Sequence, residues 1–185
     1  MISADDHTLP RLVSMRAKLL LSAFVLISLG TYAQADSATW NLDPTGSAWN
    51  LALNWTPATI PNGPLDSATF ALSNLSTVTI SEDTQVNSVI YDANASAYTV
   101  TVNEGGSQTG DILTITHGGV TNNSLLNQIL IAGPSTDGIN FGGAIIFMHS
   151  SAVTGPALTF IAQGNLAVFY GTGGLVAFRN YASAG

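Results

Sequence analysis

Glu82 and Asp83 are the only adjacent acids beyond the first 35 residues. Two carboxylates held about 5–9 Å apart across a cleft can perform glycosidic acid–base work. With nearby carbonyl oxygens, they can also hold calcium. Here they follow the run Thr77–Ser81 and precede Thr84-Gln85, a context that predicts a solvated turn. Asp92 and Asn94 invite the same calcium reading, but no D-x-D-x-D-G loop surrounds them. Of the histidines, His7 falls in the expected leader, and His117 and His149 each lack a His or acidic partner at ligand spacing, so no metal set is expected. No cysteine is present, which excludes thiol catalysis, disulfides and Cys-based zinc sites. No G-x-S-x-G elbow occurs. Gly171-Thr-Gly-Gly174 lacks the following Lys of a phosphate loop and reads as a turn. No catalytic, cofactor-binding or metal-binding set is predicted.

The remaining chemistry-bearing group is aromatic. Trp40, Trp49 and Trp55 are all the tryptophans of the chain, within sixteen residues. Each ring can bury on the order of 200 Å², so the cluster fits a plug over an open core. Exposed, the same rings could stack on sugars.

Charge narrows the partners. The 185 residues carry four basic and eleven acidic side chains, a formal net charge of −7, and only 8% are charged. A phosphate-backbone binder needs clustered Lys and Arg, so nucleic acid is excluded. Arg11, Arg16 and Lys18 precede the apolar run Leu19–Leu29, Gly30 breaks it, and Ala33-Gln-Ala35 follows. A positive segment, a short apolar run and an A-x-A box predict a secretory signal peptide over residues 1–35, cut between Ala35 and Asp36. The run falls short of the roughly 20 apolar residues of a membrane span. Asp5, Asp6 and Pro10 are unusual in such a leader, and Met15 offers a second start. The mature chain would keep Arg179 alone against nine acids. A lone Arg argues against polysaccharide lyase chemistry, which neutralises an acidic substrate with cations. The sequons at Asn54, Asn74, Asn94 and Asn122 would matter only in a glycosylating host.

From Asp36 on, the elements that must position these residues read as strands. β-rich runs recur about every 9–12 residues: Ala68–Leu72, Thr77–Ser81, Val86–Tyr91, Tyr98–Val102, Ile112–Thr116, Gln128–Ile131, Ala144–Phe147, Ala157–Ile161, Leu166–Tyr170 and Leu175–Phe178. Val78 and Ile80 alternate with Thr77 and Thr79, as do Tyr98, Val100 and Val102 with their neighbours, so each strand has one apolar face. Outward residues are small and uncharged, as stacked ladders require. Asn62-Gly63 is the only tight hairpin signal. Ile145–Gly155 loosely repeats as Leu175–Gly185. The prediction is all-β: a right-handed parallel β-helix, with an antiparallel β-sandwich as the alternative. Its parts are a Trp-rich N-terminal capping module over 36–72 and coils over 73–185. The final Ala182–Gly185 carries no cap, so a longer protein is expected.

The stretch Trp40–Pro57, with its W…W…NW spacing, then Ile60-Pro-Asn-Gly-Pro64 and Asp66-Ser-Ala-Thr-Phe70, resembles the opening module of bacterial autotransporter-like passengers with autotransporter-associated β-strand repeats. Gly118–Ser124 and the Phe-then-Ala-Gly repeats look similar to the same family. The resemblance implies a secreted, surface-displayed β-helical stalk or adhesin of a bacterium, without enzymatic activity in this part. Its partners would be the export machinery and an extracellular glycan or a host or neighbour-cell surface. A C-terminal outer-membrane barrel would act as translocator. The alternatives are a β-helix polysaccharide-degrading enzyme and a carbohydrate-binding module built on Trp40, Trp49 and Trp55.

Overall fold

The structure is a computed structural model that describes residues 36–103, 110–135, 141–164 and 173–184. The expected leader, with Ala33 and Ala35, lies outside the described residues, as do His7 and the expected strand Leu166–Tyr170.

Period-2 alternation makes strands here, and their pairing makes a β-solenoid of about four turns. The strands are β1 (Ala38–Trp40), β2 (Trp55–Thr56), β3 (Ser67–Phe70), β4 (Thr77–Ile80), β5 (Thr84–Tyr91), β6 (Thr99–Val102), β7 (Ile112–Asn122), β8 (Gln128–Ala132), β9 (Ala144–Phe147), β10 (Val153–Thr154), β11 (Leu158–Ala162) and β12 (Leu175–Phe178). They stack in three parallel ladders. One runs β4-β6-β8-β11. A second joins the first half of β5 to the first half of β7, then β9 and β12. The third runs β1-β3, the second half of β5, the second half of β7, then β10. β5 and β7 serve two ladders because each bends, with an irregularity in their pairing between Val86 and Ser88. Among the described residues only β1 and β2 pair antiparallel, so the sandwich alternative does not form.

Coil length follows from the connections. Thr77 pairs with Thr99, 22 residues on, because Ser81-Glu-Asp83 alone joins β4 to β5. Thr99 pairs with Ile129, 30 residues on, because the connection from β6 to β7 is longer. The loose repeat is one coil: Phe147 pairs with Phe178, and their rings stack at 4.5 Å.

Val78, Ile80, Val86, Val100, Val102, Leu113, Ile115, Leu130 and Ile145 fill the interior, while Thr77 and Gln85 face out. Two buried amide side chains are paired at the corners of the coils. Gln128 Oε1 accepts the Tyr98 N–H at 2.8 Å, and its Nε2 donates to Ser96 O at 3.0 Å. Asn122 Nδ2 donates to Leu126 O and Pro156 O at the corner between two ladders. These bonds fix register, since a slip would leave buried amides unsatisfied.

The two ends differ. β2 lies antiparallel on the outer edge of β1 and ends that sheet. At the other end, among the described residues, β11 and β12 each pair on one side. Phe178 is 37% exposed, whereas Phe147, its counterpart one coil earlier, is fully buried.

Candidate functional site

The three tryptophans meet over the first coil. Trp40 ends β1, Trp55 opens β2, and Trp49 sits between them beside a one-residue bridge from Ala48 to Thr79 of β4. Their exposures are 1%, 1% and 0%. Trp55 contacts Trp40 edge-on at 5.0 Å and Trp49 at 4.9 Å, and all three rings rest against Phe70. Each indole N–H is used internally: Trp40 donates to Leu75 O, Trp49 to Pro61 O and Trp55 to Trp49 O. A ring that stacks on sugar needs an exposed face, and these have none. The glycan-stacking role suggested for Trp40, Trp49 and Trp55 is therefore corrected to interior packing.

Asn54 holds this plug together. It is buried, its Oδ1 accepts from Thr45 N and Oγ1, and its Nδ2 donates to Gly46 O and Ala48 O. The sequence marked Asn54 only as part of a sequon and of the NW pair.

Glu82 and Asp83 form an exposed turn. Asp83 Oδ1 accepts the Ile112 N–H at 3.0 Å, so the carboxylate caps the start of β7 in the next coil. The solenoid brings a third acid to them that spacing did not suggest. Asp111 is buried, with Oδ2 lacking any hydrogen bond. Burial pushes its pKa up, and the charges of Asp83 and Glu82 add to the rise. The signal for this approach was the coil period: residues 82–83 and 111 lie one coil apart. Asp92 Oδ1 accepts the Asn94 N–H at 2.8 Å, a turn-closing bond.

His117 and His149, 32 residues apart, stack at 5.1 Å with planes 12° apart, both exposed at one corner of successive coils. Among the described residues no group of three or more His, Asp or Glu side chains is placed to hold a metal ion. Arg179 is exposed in the last described coil.

Two grooves mark the flank that carries β9 and β12. One of about 460 Å³ is lined by Asn62, Asp83, Thr84, Gln85, Ile112, Thr114 and Met148. Its single titratable side chain, Asp83, is already engaged by Ile112. The other, of about 420 Å³, is lined by apolar groups and by Gly110, Gly142, Gly173 and Gly174. Gly174 sits at this corner because a Cβ there would lie 2.0 Å from Ala132 O. Neither groove presents an acid beside a base.

Fold and side chains together define a parallel β-solenoid whose first coil is plugged by tryptophan. No protein-family profile, no curated protein and no solved structure matches the chain.

Proposed function

We propose that this chain is the N-terminal part of a secreted, surface-displayed passenger of autotransporter type, a non-enzymatic β-helical stalk or adhesin. An outer-membrane barrel, C-terminal to this sequence, would translocate it. The observation that carries this is a parallel β-solenoid whose first coil is closed off by buried tryptophans. One end is sealed by buried rings and an antiparallel strand. Beyond it the coils stack in parallel register, with Phe147 over Phe178, and rest on one another. Nearest-neighbour stacking is how such a rod grows, and its outward Thr and Ser ladders tolerate repetition because they carry no charge.

Protease shaving of intact cells that express the whole gene tests this. Expected is release of fragments containing the Trp40–Phe70 segment into the medium. Recovery of that segment only inside the cell would overturn it. The polysaccharide-degrading alternative predicts turnover on a panel of acidic and neutral glycans by the chain beginning at Asp36.

A further inference from the structure

Asp66 is a buried carboxylate met by neutral donors alone. It is 5% exposed and precedes β3 at the end of the turn Asn62–Asp66, closed by its own N–H to Gly63 O at 3.0 Å. A Cβ on Gly63 would come within 2.9 Å of Asp66 Oδ2, so glycine makes room for the carboxylate. Oδ2 accepts the Asn62 N–H at 3.0 Å. Oδ1 accepts the backbone N–H of Asp36 at 2.8 Å, from a residue 30 positions earlier. Arg179, in the last described coil, is the only Lys or Arg among the described residues. The other charged groups on these elements are the exposed Asp36 carboxylate and Asp83, whose carbonyl accepts from Asn62 and whose carboxylate caps Ile112.

We propose that export processing supplies the cation that Asp66 lacks. Cleavage after Ala35 makes the Asp36 nitrogen the mature α-amine, which docks on Asp66 as an ion pair and locks the first coil. The inference rests on the export reading above and names what the cut accomplishes. The chemistry is hydrolysis. Water adds its oxygen to the Ala35 carbonyl carbon, the peptide C–N bond breaks, and the Asp36 nitrogen leaves carrying protons, an ammonium at neutral pH. One neutral N–H donor becomes a charged group with three donors, and charge-assisted hydrogen bonds are roughly twice as strong as neutral ones. Residues from Ala35 onward form a compact unit of their own, so the mature chain can hold this contact without the leader.

The test compares the chain beginning at Asp36 with a free amine, the same chain Nα-acetylated, and Asp66→Asn in both forms. Acetylation keeps the sequence, so the comparison survives even if Asp66→Asn folds poorly. Expected is a fall in Tm of about 5 °C on acetylation at pH 7, in line with losing one charged hydrogen bond in a domain of this size. The fall should shrink below about 1 °C in Asp66→Asn, since only the partnered amine gains from its charge. A partnered amine titrates above its ordinary value of about 8, so the free-amine advantage should be full at pH 7 and fade as pH rises through the raised value. Equal melting of free and acetylated chains at pH 7, or an acetylation effect that persists in Asp66→Asn, would overturn the inference while leaving export intact. N-terminal sequencing of the exported protein separates the two ideas. A first residue other than Asp36 defeats the cleavage position itself.

Discussion

Replacing Trp55 with Ala removes the side chain at the centre of the plug. Its ring is 1% exposed and touches Trp40, Trp49 and Phe70. Burying about 200 Å² at about 25 cal/mol per Å² is worth roughly 5 kcal/mol as an upper estimate. The cut also leaves Trp49 O without its 2.7 Å donor, a loss of about 1 kcal/mol. Partial collapse of the site offsets part of this, so the expected cost is about 3–5 kcal/mol, as for other large core truncations. For a domain of about 150 residues that lowers Tm by roughly 10 °C. Thermal unfolding by circular dichroism gives the size, and hydrogen exchange gives the place. Because solenoid coils stabilise their neighbours, amides of β1, β3 and β4 should lose protection first. A Tm within about 2 °C of the parent, or lost protection beginning at β11 and β12, would refute the plug.

Asp111→Asn should stabilise the protein at neutral pH. Its folded pKa is raised, by desolvation first and then by Asp83 and Glu82. The folded state therefore holds the proton more tightly than the unfolded one, and stability falls as pH rises through the folded value. The gain should be present at pH 7 and vanish below the ordinary carboxylate range, as thermal melts at both pH values will show. Equal gains at both would contradict the assignment. Tyr91→Phe and Tyr98→Phe should differ in sign. The Tyr91 hydroxyl is buried without a partner, and removing it should gain about 1 kcal/mol. The Tyr98 hydroxyl donates to Ala71 O at 2.8 Å, and removing it should cost about 1 kcal/mol by denaturant titration. Asn54→Ala deletes four hydrogen bonds under the plug and should cost at least about 2 kcal/mol, with no change in exchange at β12.

Much of the architecture was legible because strand alternation reports which side is buried whatever the partner. Val78, Ile80, Val100 and Val102 point inward as their spacing requires, and Ala144–Phe147 and Leu175–Phe178 are strands at the expected bounds. The segments that escaped are short. β1, β2 and β10 have two or three residues each, too few for a period to register. The run Ile112–Thr116 proved to be the first part of an eleven-residue strand, because Gly118 and Gly119 turn the chain between ladders without ending the pairing. Contacts one coil apart were the least legible. The His117–His149 stack and the approach of Asp111 to Asp83 depend on a coil length set by connections whose lengths vary. Asp66 was visible only as part of a motif. Its role emerges once β3 is seen beside β1, which brings Asp36 to its carboxylate.

Native-state hydrogen exchange, resolved along the chain beginning at Asp36, tests the tryptophan-plugged solenoid most directly. The account predicts the strongest protection in β4, β6 and the first half of β7, with β3 close behind under the tryptophans. β11 and β12 should exchange at least tenfold faster, because among the described residues each pairs along one edge. Protection in β11 and β12 equal to that in β6, in a chain shown to be monomeric, would contradict it.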